Sequence, residues 1–487
     1  MTSRELLAWA VIAAPAVTTA LLVLVPRRLV TGLALAAAVP TGALAVALTA
    51  LALRSPGDPV TGDWLVIDVA GSLLVAVIGV VGLASVLVSP AYLGGGGDSL
   101  VAPARRERVY YAALYAFWAI LLAVPLAGNL GVAWLLVEAT TAASALLVGF
   151  SGKPGALEAG WKYLVLTSLG LGVALLGIVM LAAGIPAGGL EELSWNALAT
   201  FAGGKEAALV AYLLLLAGLA AKIGWAPVHN WLPDAHSEAP PPVSALLSAA
   251  LLPAVLLVAW RSQQALAPVV GESTARGVLV GFGLASLAVA VPFLWRSLPW
   301  KRLLAYSSLE HMGVIALGIG FATPLALAGV AIHIAAHAVA KALGFYAATP
   351  LLSHRPDGGE RAETGFGRSE PRLGASLGIS LAALAGLPPS PLFVSEVLIV
   401  AGGFQAGRPW EACGAALLLA LGFLGLAHAL IEITAGDGPS HAPRAAAGLR
   451  GVVALTAVSV VLLTGLTLAA VALPGSDLVE ALARGLS

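Results

Sequence analysis

The sequence predicts an all-α, polytopic membrane protein with about 14 transmembrane helices. Three observations carry this. Of 487 residues, 59% are hydrophobic and only 10% are charged, whereas globular chains carry about 25% charged residues. Apolar runs of about 18 residues or more recur from end to end, and a run of that length spans a bilayer. The polar stretches between them are too short for a separate soluble domain.

In order, the spans read as 6–25, 29–53, 65–89, 109–128, 129–149, 160–184, 207–226, 240–261, 275–295, 303–320, 323–352, 374–402, 410–434 and 450–473. The first run is followed by span after span and shows no clear small-residue cleavage site, so it reads as a retained helix rather than a signal peptide. The longest polar connections, "SPAYLGGGGDSLVAPARRER" and "SHRPDGGERAETGFGRSEPR", read as Gly- and Pro-rich surface loops.

The Lys/Arg bias sets the expected orientation. One set of loops holds 15 basic residues, among them Arg105, Arg106, Arg108, Arg355, Arg361, Arg368 and Arg372; the opposite set holds seven. The positive-inside rule makes the 15-residue side cytoplasmic and places both termini outside, as an even number of spans requires.

Two spans are interrupted. "AAKIGWAPVHNWLPDAHSEAPPP" carries Pro227, Pro233 and Pro240 to Pro242 at the end of span seven; "AGLPPSPLFVSEV" carries Pro388, Pro389 and Pro391 inside span twelve. Proline lacks the backbone donor and clashes with the preceding turn, so both helices break. Broken backbone at membrane depth survives only inside protein or against water. Two such breaks, five spans apart, point to an internal repeat and a midplane ion path. The chain then divides into residues 1–108 (spans one to three), 109–261 (four to eight), 275–434 (nine to thirteen) and 450–487 (span fourteen).

An ionisable group at mid-bilayer costs about 2.5–3.5 kcal/mol on insertion scales and is a functional candidate by default. Glu138 lies inside span five, Lys222 just before the first break, and Glu396 after the second. In "AIHIAAHAVAKALGFYA", His333, His337 and Lys341 recur every four residues and share one helix stripe. His229, Glu310, His311 and Glu432 are secondary candidates, the last three read as lying near helix ends. Lys222 and Glu138 could form a purely structural pair, Lys341 could snorkel, and Lys162 could anchor its helix. "HIAAH" lacks the glutamate of the zinc-protease motif and a third ligand, so no metal is expected. No cofactor is expected either, since no Gly-rich phosphate loop leads into a soluble helix and no nucleophile has a credible base. The single cysteine, Cys413, excludes an intrachain disulfide and a Cys-ligated iron–sulfur cluster. Zero formal net charge gives no nucleic-acid footprint.

"AAKIGWAPVHNWLPDAHSEAPPPVSALLS", "KRLLAYSSLEHMG", "HIAAHAVAKALGF" and "GLPPSPLFVSE" together resemble the proton-pumping, antiporter-like membrane subunits of respiratory complex I, Mrp antiporters and membrane-bound hydrogenases. "VEATTAASALLVGF" with "GALEAGWKYLVLTSLGLGVALLG" is most similar to the F component of hydrogenase-4 complexes. The resemblance covers about residues 60 to 435. It implies two inverted five-helix repeats, each with a broken helix, and proton transfer through Glu138, Lys222, His333, His337, Lys341 and Glu396. Relatives often carry a lysine or histidine in span eight, where this sequence offers Ser248 and Pro253.

The expectation is therefore a proton-translocating subunit of a larger membrane complex, driven by a hydrogenase-type or related redox module in partner subunits. The same superfamily leaves open an Mrp-like sodium/proton antiporter or the energising subunit of an inorganic-carbon uptake complex. A non-conducting scaffold is the reading from a different class. Burial destabilises a charged lysine and a neighbouring carboxylate restores it, so pairing and separation of Lys222 and Glu138 would hold and release a proton. Histidines, which titrate near neutral pH, would pass it on.

Overall fold

The computed structural model describes residues 2–55, 57–62, 64–94, 100–185, 193–354, 360–362, 364–365, 367, 370–436 and 449–472. Helices dominate: α1 (Ser3–Leu24), α2 (Val30–Leu53), α3 (Val69–Gly94), α4 (Arg106–Ala123), α5 (Leu130–Val148), α6 (Pro154–Ala183), α7 (Lys205–Ile223) and the short α8 (Leu232–Glu238). They continue with α9 (Pro241–Val270), α10 (Glu272–Leu294), α11 (Trp300–Phe321), α12 (Pro324–Leu351), α13 (Pro371–Leu384), α14 (Pro391–Gln405), α15 (Pro409–Ala435) and α16 (Leu449–Ala472). Two antiparallel hairpins, β1 (Val60–Thr61) with β2 (Val66–Ile67) and β3 (Leu352–His354) with β4 (Glu360–Ala362), lie in connections.

Among the described residues, 13 helices are long and apolar enough to cross a membrane. The expected twelfth span is the exception, because it is split into α13 and α14. The protein is a multi-pass membrane protein. Arg355, Arg368 and Arg444, used for the orientation, lie outside the described residues.

The centre of the bundle is α9 and α11, whose apolar stretches are wholly buried, with α12 packed against α9, α11, α13 and α14. Large apolar side chains that point outward, such as Leu24, Leu169, Trp410 and Val461, are exposed. An apolar outer surface over a polar-containing interior is what lipid requires, since every backbone group must be satisfied within the protein.

The prolines at the breaks begin helices rather than bend them. Pro233, Pro241 and Pro391 sit in the first turns of α8, α9 and α14, where the missing N–H would have had no partner anyway. Each broken helix ends at a glycine in the left-handed region, Gly224 (φ 80°) and Gly386 (φ 70°), which a Cβ would disfavour. The freed groups find partners. At the first break Trp231 Nε1 donates to Ala221 O (2.6 Å) and Ala226 N to Ser286 Oγ (3.1 Å). At the second, Ser390 Oγ caps α14 by accepting from Phe393 N (3.2 Å).

Candidate functional site

Lys222 is buried in the last turn of α7, where the helix dipole favours a cation. Its ammonium donates to Thr141 Oγ1 on α5 (2.7 Å) and to Tyr163 OH on α6 (2.5 Å). It also stands 4.5 Å from the Tyr163 ring centroid, a cation–π contact. Tyr163 OH pairs in turn with Ser144 Oγ (2.7 Å). Glu138, one turn before Thr141, is half-buried; Oε1 accepts from Ser168 Oγ (2.7 Å) and Oε2 has no partner among the described residues. No ion pair joins Lys222 and Glu138 among the described residues, so the lysine is held by hydroxyls and ring rather than by the carboxylate.

The second group surrounds α12. His333, His337 and Lys341 are fully buried on their common stripe. Lys341 Nζ donates to Leu304 O (2.5 Å), a carbonyl that also accepts from Ser308 Oγ (2.9 Å). Ser308 Oγ pairs with Ser248 Oγ (2.7 Å), which lies in a π-helical turn of α9, Leu247–Leu251. The π-turn displaces the backbone just where this hydroxyl reaches α11, as such bulges do at functional positions. His311, mid-way along α11, has Nδ1 3.0 Å from His333 Nε2 and its ring 5.1 Å from that of His337. His333 Nδ1 faces Ser395 Oγ (2.8 Å). Among the described residues, neither nitrogen of His337 has a hydrogen-bond partner, and Glu310 Oε2 has none.

Glu396, on α14, completes the set. One ligand atom from each of His311, His333 and Glu396 lies within 4.8 Å of the others. Its carboxylate also lines a cavity of about 520 Å³ walled by Phe393, Val397, Phe404, Leu419 and Phe423.

Between the two groups stands a residue the sequence did not nominate. His236, on the seven-residue α8, is fully buried; Nδ1 bonds Leu232 O (2.9 Å) and Nε2 has no partner among the described residues. Its ring lies 6.1 Å from that of Trp231, which lies tilted 4.8 Å from Tyr163, and 5.6 Å from Phe345 on α12. Lys301 fastens α8 from α11 by donating to Ser237 O and Ala239 O, both 2.5 Å.

The family model described as NADH:quinone oxidoreductase/Mrp antiporter, transmembrane region, matches residues 127–423. The chain belongs to this family. A hydrogenase-4 component F homologue of Methylacidiphilum infernorum is 32% identical over 391 residues, covering 78% of this chain and 80% of that one. The fold is shared with chains in two solved complexes. One is an archaeal membrane-bound sulfane sulfur reductase (TM-score 0.82, 20% identity, covering 98% of this chain and 97% of that one). The other is the Mrp complex of a Dietzia species (TM-score 0.81, 21% identity, covering 100% and 97%).

Within this antiporter-like chain, the six principal candidates fall into two neighbourhoods. Lys222 with Glu138 makes the first, and His333, His337, Lys341 and Glu396 make the second. Glu310 and His311 are mid-helix and buried, not at a helix end as the polar stretch "KRLLAYSSLEHMG" indicated. Glu396 sits in the second turn of α14. His229 lies in the first break with Nδ1 unpartnered, outside both groups. Glu432, near the C-terminal end of α15, meets His428 Nε2 (3.6 Å) and Ser297 Oγ (3.3 Å) at the surface. Lys162 is 45% exposed and pairs with Glu158 (2.6 Å) and Asp234 (3.3 Å), an anchor of α8 to α6.

Proposed function

We propose that this chain moves protons across the membrane as one subunit of a larger complex, through Glu138, Lys222, His236, His337, Lys341, Glu310, His311, His333 and Glu396. The observation that carries the reading is the burial of so many titratable groups in one bundle, several with polar atoms left unpartnered. An ionisable group at bilayer depth costs about 2.5–3.5 kcal/mol on insertion scales, and a purely structural core would have replaced it. Residues 109–261 and 275–434 are read as two inverted repeats, with the first break on α7/α8 and the second on α13/α14. Lys222 takes up a proton near Glu138, the α12 stripe passes it across the bundle, and Glu396 receives it by way of His311 and His333.

His236 takes the place of the missing base of span eight. Its unpartnered Nε2 and its position between Trp231 and Phe345 support that role, with Ser248 and Ser308 supporting water near Lys341. Trp231 stands between Tyr163 and His236 without a hydrogen-bonded link among the described residues. That gap is the one feature favouring a non-conducting scaffold.

Similarity to the hydrogenase-4 component favours a hydrogenase-type or related redox driver in partner subunits. An Mrp-like antiporter and an inorganic-carbon uptake complex are separated from it by what co-purifies: iron–sulfur and nickel subunits, small membrane subunits alone, or a zinc-containing carbonic-anhydrase-like protein. The complex purified in mild detergent and reconstituted in liposomes should acidify or alkalinise the lumen when its driver is supplied. Lys341→Ala should abolish this with the complex still assembled; wild-type transport by that variant would overturn the reading.

The basic-residue asymmetry supports an orientation with both termini outside. In a Cys413→Ser background, a cysteine at position 365 should be labelled from the cytoplasmic face; labelling from outside would reverse the orientation.

A further inference from the structure

We propose that His311, His333 and Glu396 form a binding site for a borderline transition-metal ion, Zn²⁺ being the best fit, and that the bound ion stops proton transfer. The binding stands on the donor geometry alone; the inhibition rests on the proton-path reading.

The hydrogen-bond network sets the tautomers. The Ser395 hydroxyl donates to Leu392 O (2.7 Å), so its oxygen accepts from His333, and His333 Nδ1 carries the proton. His333 Nε2 therefore presents a lone pair, facing His311 Nδ1 at 3.0 Å. Tetrahedral Zn²⁺ holds two imidazole nitrogens at about 2.0–2.1 Å each, hence about 3.3 Å from one another. The two nitrogens already stand within a few tenths of an ångström of that spacing, and a small turn of each ring brings both lone pairs onto one ion. To ligate through Nδ1, His311 shifts its proton to Nε2, which has no hydrogen-bond partner among the described residues. The ring stays neutral and no proton need leave it.

Glu396 supplies the third donor: one carboxylate oxygen lies within 4.8 Å of a ring nitrogen of each histidine. Two imidazoles and a carboxylate are a donor set suited to zinc, and less so to magnesium or calcium, which prefer oxygen alone. Three protein donors leave the fourth tetrahedral position to a solvent molecule carried in with the ion. Ser395 gives His333 the outer hydrogen bond that metal-bound imidazoles usually have, fixing ring and tautomer. His337 contributes nothing to this set, although it shares the stripe with His333. A metal in this position takes the lone pairs that would accept the transferred proton.

The test adds Zn²⁺ to the purified complex in a His428→Ala background, which removes the exposed His428–Glu432 pair as a competitor. Free metal is then removed and the retained zinc measured by elemental analysis and X-ray absorption. One tightly held equivalent is expected in the parent and in His337→Gln, with two imidazole nitrogens in the first shell. It should be lost in His311→Gln and Glu396→Gln; equal zinc in His311→Gln overturns the site. Where that variant does not assemble, Ser395→Ala decides. It should bind Zn²⁺ about 10–100-fold more weakly, and unchanged affinity overturns the proposal. Liposome transport by the parent should fall to background at saturating Zn²⁺. A His311-dependent zinc with transport intact overturns the inhibition and the proton-path reading together, leaving the metal site in place.

Discussion

The two helix breaks solve the same problem with opposite charges. At the first, a lysine in the last turn of α7 is sealed from outside and gripped by Thr141, Tyr163 and a ring face. At the second, Glu396 is only half-buried, makes no hydrogen bond among the described residues and lines a cavity. The dipole supports Lys222 because the last turn is where it acts, whereas Glu396, a turn further in, gains little from the N-terminus of α14. One end of the chain of titratable groups is thus enclosed and preorganised, and the other is open and loosely held. An end that is held stores a charge; an end that is open exchanges it.

The largest expected effects test that division directly. Lys222→Ala removes the stored charge and should abolish coupled transport while leaving the complex assembled; Glu138→Gln should do the same if the carboxylate sets the lysine's occupancy. Transport measured in liposomes at the wild-type rate for either would dissolve the distinction. At the open end, Glu396→Gln should stop turnover, whereas Glu396→Asp should keep part of it, since a shorter carboxylate still reaches the cavity. If Glu396→Gln transports normally, the exit lies elsewhere, with Glu432 the next carboxylate to test.

Much of this comparison was legible in the sequence. Lys222 and Glu138 stand alone in apolar runs, and their burial follows from the runs themselves. The stripe of His333, His337 and Lys341 follows from four-residue spacing. The prolines announce both breaks, though not that they would begin the next helix. What escaped was everything that depends on a polar-looking stretch turning inward. "LPDAHSEAPPP" reads as a loop, and only the docking of α8 against α6 and α11 buries His236. "KRLLAYSSLEHMG" reads as a helix start at an interface, yet α11 is enclosed on all sides, which carries Glu310 and His311 to the centre. Local hydropathy reports the average environment of a segment; it does not report which helix ends up surrounded by the others.

His236 is the next test by size. His236→Asn preserves a polar side chain but not a titrating ring, and general acid–base groups contribute about 10²–10⁴-fold where proton transfer limits the rate. Transport should fall by at least the lower end of that range, with the Trp231 packing and assembly kept. An unaffected rate would mean that water alone crosses from Tyr163 to Lys341.

The smallest expected effect separates holding a charge from relaying it. Tyr163→Phe keeps the ring against Trp231 and the cation–π contact with Lys222, and deletes only the hydroxyl. A hydrogen bond from a charged donor is worth about 1.5–3 kcal/mol, but Thr141 still accepts from the ammonium at 2.7 Å, so part of the support survives. The expected result in liposomes is transport slowed several-fold, well short of Lys222→Ala. If Tyr163→Phe is instead as inactive as Lys222→Ala, the hydroxyl lies on the route, handing the proton towards Ser144 rather than merely steadying the lysine. A wild-type rate would assign the grip to Thr141 alone. Among the described residues no hydroxyl bonds Glu396, so deleting Ser395 should act there only through His333. The response to losing a neighbouring hydroxyl should therefore be direct at the enclosed end and indirect at the open one.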